Sequence, residues 1–370
     1  MGRAKEQQIK EQQGGGASLG DKYVCAKCFN DYALKKFVSE YALGNACDYC
    51  GRKSQRLIAA SIEAVLKEIS IGIGSEWGNP DNERIDFEDG EYQGNVIETY
   101  ELFYDEIEDP FENDLLRHDI INAFYKINPV WCKRNYYGFL PHEALRYGWK
   151  EFVHVIKHAR RYFFSVPDEQ REGYYYEEIA PEEFLDRLGE LVTEIGLVQE
   201  LPEDTQIFRV RVHNPKLIFH SARELGTAQN APYSNRMSPA GIPMFYGAFE
   251  QRTAVAETYD PSCERSITIG KWGAARKIPV LDLTRIPEVP SIFDSEKRGK
   301  RPGMIFLHEF TRELSQPIKK DGWEHIDYVP TQVMTEYFRH IYTHPEYGKL
   351  LGILYNSSQR PGGKCCVFFF

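Results

Sequence analysis

The sequence predicts an α+β protein: a small metal knuckle and a helical N-terminal region, followed by a mixed C-terminal unit. Three observations carry this. Two Cys-x-x-Cys pairs lie near the start, Cys25/Cys28 and Cys47/Cys50. Apolar residues then recur at helical spacing through the first half. Beyond residue 205, alternating strand-like runs interleave with helical stripes. A length of 370 residues allows two or three domains at about 150 residues each.

Residues 1–20 read as a polar tail, without the apolar stretch of a secretory signal. Residues 21–51 form the knuckle. Two close thiol pairs separated by eighteen residues offer the four soft ligands that Zn2+ takes tetrahedrally. With four thiolates no position is left for water, so the ion is expected to be structural. So short a segment has little core of its own, and the metal would supply folding energy. Gly51 suits a tight turn after the last ligand. Without a secretory signal, the cysteines point to ligands rather than disulfides.

Residues 52–200 are expected to be helical. Ile58, Ile62, Val65, Leu66 and Ile69 make one stripe over 52–70, ended by Gly72 and Gly74. Residues 76–117 hold fifteen Asp/Glu against two Lys/Arg and read as loops with short helices. That charge argues against a nucleic-acid surface there. A weaker helix over 112–128 stops at Pro129. Leu145, Trp149, Phe152, Val153 and Ile156 give a face to 142–165. Pro181 opens a further helix that Gly196 closes.

Residues 205–370 alternate between strands (207–213, 244–249, 265–271, 277–283, 351–355, 365–370) and helices (253–259, 302–316, 331–342). Pro279 suggests an edge strand or bulge. The apolar run CCVFFF is expected to be a central strand, or to hide in a dimer face. This half carries 22 Lys/Arg against 16 Asp/Glu, a balance that suits a bound anion without demanding DNA or RNA. The chain has no run of about 20 apolar residues, so no membrane span is expected.

Dinucleotide-fold, P-loop, zinc-protease and serine-hydrolase signatures are absent from the sequence. The residues that stand out are Arg209 and Arg211 in FRVRV, and Arg236, Tyr246 and Glu257 in NRMSPAGIPMFYGAFEQRTAVAE. Tyr328, Thr331 and Gln332 stand in YVPTQ, and Tyr355 and Ser357 in GILYNSS. Taken singly, each has an ordinary reading: the arginines as surface charge, the tyrosines as core, Glu257 as a solvated helical residue.

Their order along 205–370 resembles the RES domain. The departure is at 234–237, where Ser-Asn-Arg-Met stands for the usual Gly-Gly-Arg-Trp. The preceding cysteine-containing helical region resembles the HEPN-like domain found before some RES domains. The resemblance implies an ADP-ribosyltransferase-like fold and NAD+ as substrate. It implies an NAD+ glycohydrolase acting as a toxin or defence effector. An ADP-ribosyltransferase or NAD+ phosphorylase using the same pocket, and an inactive binding module, are the alternatives. On this reading Glu257, Arg209, Tyr246 and Ser357 are catalytic, and Arg236, Arg211, Tyr355 and Gln332 bind the dinucleotide. An antitoxin, immunity or sensor protein is the implied partner. Reduced-cysteine usage and the resemblance together imply the bacterial cytoplasm.

Overall fold

The computed structural model describes residues 18–163, 179–219, 221–227, 229–260, 262, 265–317 and 322–370. The expected tail up to residue 17, and the last two residues of the stripe over 142–165, lie outside them. The chain forms two compact units. One runs up to Leu140 and includes Val289–Arg301; the other comprises Pro141–Glu288 and Pro302–Phe370.

In the N-terminal unit, strand β1 (Tyr23–Cys25) pairs antiparallel with β2 (Ala59–Ser61). Helices α1 (Tyr32–Glu40), α2 (Ile62–Ile73) and α3 (Asp114–Ile127) pack around them. The knuckle is not a separate body: Cys25, Cys28 and Cys47 are buried in one cluster with Phe29, Leu34, Ile62 and Phe111. The helix expected from residue 52 starts ten residues later. Residues 59–61 are drawn into the ladder that anchors the knuckle, so α2 begins only after Ser61. The acidic stretch holds short strands as well as loops: β3 (Trp77–Gly78), β4 (Phe87–Glu88), β5 (Glu91–Tyr92) and β6 (Ile97–Glu98). Strands β3 and β6 both pair with β7 (Val130–Lys133).

The helices expected to complete that N-terminal region pack elsewhere. Helices α4 (Pro141–His154) and α5 (Pro181–Ile195) belong to the C-terminal unit. Their apolar faces, through Trp149, Phe152, Phe184 and Leu188, share a core with Leu281, Ile353 and Val367 of its sheet. By packing, the division between the two units falls at 140/141.

That sheet has seven strands: β8 (Val198–Leu201), β9 (Gln206–His213), β10 (Phe245–Ala248), β11 (Ser266–Gly273), β12 (Ile278–Asp282), β13 (Gly352–Asn356) and β14 (Lys364–Phe368). Their order is β11-β9-β10-β14-β13-β12-β8, antiparallel except for the β12/β13 pair. The apolar run at 365–370 thus lies in the middle of the sheet. Strand β12 is internal, with β8 at the edge. Pro279 is tolerated there because its side toward β13 precedes that strand's first pair, Val280↔Gly352.

The connectivity curls the sheet. A flat arrangement would separate β8 from β9 by five strand spacings, roughly 24 Å. The five steps from Leu201 to Gln206 reach only about 17 Å. The β8–β9 connection also bonds the end of β11, Asp204 N to Ala274 O at 2.9 Å and Ala274 N to Thr205 O at 3.1 Å. The inner face holds Ile207, Phe245, Val280, Leu354, Cys366 and Phe368. The outer face carries α4, α5, α7 (Arg301–Leu314, from Pro302 onward) and α8 (Val329–Glu336). Among the described residues no helix is long and apolar enough to cross a membrane.

Candidate active site and metal centre

The cleft arises where two strands part. Strand β9 pairs with β11 over eight residues but with β10 at one position, Ala248↔Phe208. Beyond that pair, Arg209–Arg211 on one side and Met244, Tyr246 and Gly247 on the other line a cleft of about 850 Å³, a size that accommodates a small-molecule ligand.

Helix α6 (Gln251–Thr258) follows β10 and lies on the outer face, with Ala254 and Val255 against Phe208, Val210, Ala248 and Cys365. Glu257 in its last turn is exposed and lines the cleft. Its carboxylate accepts from Ser357 Oγ at 2.5 Å and from the Gln359 backbone N–H at 3.3 Å. The Ser357 hydroxyl accepts in turn from the N–H groups of Gln359 and Arg360, at 3.2 and 3.0 Å. Through its hydroxyl proton Ser357 thus holds the carboxylate in place.

Tyr246 and Tyr355 also line the cleft. The Tyr246 hydroxyl meets Ser238 Oγ at 2.9 Å, and burial pushes its phenol up to about 12. Burial pushes the Tyr355 phenol well above its ordinary value. Both remain neutral near pH 7 and can offer aromatic surface and a hydroxyl.

Arg209 and Arg211 share a strand face, as their spacing predicts, and it is the inner face, opposite to Phe208 and Val210. The Arg209 guanidinium lies 4.7 Å over the Phe245 ring and donates to the Tyr246 carbonyl at 3.4 Å. Burial and the neighbouring Arg211 lower it to about 10, so it stays charged at neutrality. Arg211 donates to Gly226 O at 2.7 Å. Both reach the cleft because the strands are parted there.

Two other residues have different surroundings from those expected. Arg236 lines the cleft, but its guanidinium donates to the carbonyls of Leu314 and, at 2.8 Å, Gln316. It thereby satisfies acceptors at the C-terminal end of α7. Gln332 is buried and donates to the carbonyls of Asn235, at 2.9 Å, and Ser238, at 3.3 Å. It anchors the 235–238 turn rather than lining the cleft. Met237, at the position where the RES pattern has Trp, is fully buried against Thr335, so that exchange alters the core and not the cleft surface. Sequence reasoning missed Tyr233, Asn235, Ser238 and Gln359, which complete the wall. Their only signal was proximity to the motif residues.

The four N-terminal thiols converge as their spacing predicts. The sulfurs of Cys25, Cys28, Cys47 and Cys50 all lie within 4.8 Å of one another. Three separations are 3.6, 3.7 and 3.9 Å. A tetrahedron with metal–sulfur bonds of about 2.3 Å has edges of about 3.8 Å, so the cluster fits a thiolate-bound ion such as zinc. Burial, then Cys50, pushes Cys25 up, and Cys47, then burial, pushes Cys28 up, an electrostatic cost that a bound cation removes. Cys25 N–H points at Cys47 Sγ, 3.4 Å away, and Gly51 takes a positive φ of 70° in the turn.

HEPN/RES N-terminal domain 1 matches residues 42–170, and the RES domain matches residues 206–370. The chain therefore carries a HEPN/RES N-terminal domain followed by a RES domain. This is the architecture of RES/HEPN effector systems, which are linked to NAD+ metabolism. No curated protein and no solved structure matches the chain significantly.

Proposed function

We propose that the C-terminal unit cleaves the bond between nicotinamide and ribose in NAD+, with water as acceptor. The observation that supports this best is Glu257. An exposed carboxylate faces a cleft that also holds a half-buried, charged arginine, and two protein groups, Ser357 Oγ and the Gln359 N–H, fix its position.

In this reading Arg209, with Arg211 beside it, binds the pyrophosphate through charge-assisted hydrogen bonds. Tyr246 and Tyr355 offer ring faces to nicotinamide and the adjoining ribose. As the glycosidic bond breaks, its electron pair leaves with nicotinamide and positive charge develops on the ribose. The Glu257 carboxylate stabilises that charge more in the transition state than in the ground state. Water then attacks the anomeric carbon and releases a proton, giving ADP-ribose. Phosphate or a protein side chain in place of water would give a phosphorylated or transferred ADP-ribose from the same pocket. Zinc at the four cysteines has a structural role and takes no part in the reaction.

Incubation of purified protein with NAD+, with nicotinamide followed by chromatography and the ribosyl product identified by mass, tests the reading. Nicotinamide and free ADP-ribose are expected in equal amounts. Nicotinamide with phosphorylated or protein-bound ADP-ribose would reassign the acceptor. No nicotinamide release would overturn the proposal.

A further inference from the structure

The helix that carries Glu257 is tied to the Ser357 loop at a second point. Thr253 and Glu257 are four apart on α6 and share a face, and Glu250 stands at the N-cap of the same helix. All three meet the loop that follows β13. Arg360 forms an ion pair with Glu250 and donates to Thr253 Oγ1 at 2.8 Å. Its backbone N–H donates to Ser357 Oγ at 3.0 Å. Thr253 is fully buried, and Gly363 abuts it so closely that a Cβ there would lie 2.7 Å from Thr253 Oγ1. Ser357 N to Gly363 O, at 2.8 Å, closes the loop.

From this geometry we infer that Arg360 is a positioning residue, a latch that fixes the 357–360 loop to the start of α6. It is not itself among the residues that line the cleft. It acts through the loop: with the guanidinium anchored at Glu250 and Thr253, Ser357 Oγ and the Gln359 N–H are held where they meet Glu257. An exposed surface ion pair alone contributes little. Here the same guanidinium also bonds a buried hydroxyl, and its own backbone N–H restrains the residue that orients the carboxylate. Loss of the latch frees Glu257 to sample rotamers pointing away from the ribose. This costs turnover rather than substrate binding.

The inference rests on the proposed NAD+ cleavage, and the test separates the two. Full-length wild type, Glu257→Gln, Arg360→Ala, Arg360→Lys and the exchange pair Glu250→Arg with Arg360→Glu are assayed together for nicotinamide release. Arg360→Ala is expected to lower kcat about 10- to 100-fold with little change in KM, and Arg360→Lys or the exchange pair to recover part of it. Amide hydrogen exchange supplies a readout independent of activity. The amides at positions 359 and 360 should exchange faster in Arg360→Ala, whereas β14 stays protected. Wild-type kcat in Arg360→Ala, beside an inactive Glu257→Gln, overturns the latch and leaves the cleavage reading intact. So does unchanged exchange at Gln359. No turnover by wild type overturns both. If Arg360→Ala fails to fold, Glu250→Gln, which removes the anchoring charge alone, must reproduce the fall in kcat or the latch is rejected.

Discussion

Ser357 Oγ lies 2.5 Å from Glu257 Oε1, joining residues one hundred positions apart in the chain. One belongs to a helix on the outer face of the sheet, the other to the loop that follows β13. Their meeting beside the parting of β9 and β10 turns a surface glutamate into an oriented carboxylate facing a cleft.

Arg209 is expected to carry the larger share of pyrophosphate binding. Arg209→Ala should weaken NAD+ affinity by about 1.5–3 kcal/mol, read by calorimetry, while the thermal midpoint changes little. Equal affinity of mutant and wild type would place the phosphates elsewhere. Arg236→Ala should behave differently. Two carbonyls at the end of α7 lose their donor, so stability should fall by about 1–3 kcal/mol, measured by denaturant unfolding.

Gly247 marks the hinge of the cleft. A Cβ there would lie 2.5 Å from Ile207 Cγ2 and 3.1 Å from the Phe208 carbonyl, beside the one pair that joins β9 to β10. Gly247→Ala should cost about 1–3 kcal/mol from overpacking and widen the cleft. Unfolding midpoints and NAD+ titration check it. A neutral substitution in both would mean that the strands are not held together at this point.

The elements were largely legible in the sequence; their partners were not. The strands at 206–213 and 245–248 and the helix carrying Glu257 fall within a few residues of their predicted limits, because alternation and helical stripes are local signals. Strand β8 was missed. Four residues after a helix-ending glycine give no period, and their stability comes from β12, about eighty residues away. The four cysteines were readable as a site because metal chemistry imposes spacing. Arg236 shows the opposite case. Its partners at 314 and 316 leave no mark around position 236, so the motif indicated a ligand contact where the fold also needs a carbonyl clamp. The assignment of α4 and α5 to the sheet was likewise invisible, since an apolar helical face does not say what covers it.

The knuckle should contain about one zinc per chain, measured by elemental analysis of purified protein. Cys25, Cys28 and Cys47 sit inside the core of the N-terminal unit. Chelation or Cys47→Ser should therefore unfold more than the knuckle, and the loss should include α2 and α3. A metal-free protein with the N-terminal unit intact by hydrogen exchange would remove the metal from the account.

The central claim rests on Glu257, and one comparison tests it most directly: nicotinamide release from NAD+ by wild type and by Glu257→Gln under the same conditions. The substitution keeps size and removes the negative charge. Wild type should turn over, and Glu257→Gln should lose about 10²-fold or more in kcat at similar KM, with NAD+ still binding by calorimetry. Near wild-type turnover by Glu257→Gln would contradict the account.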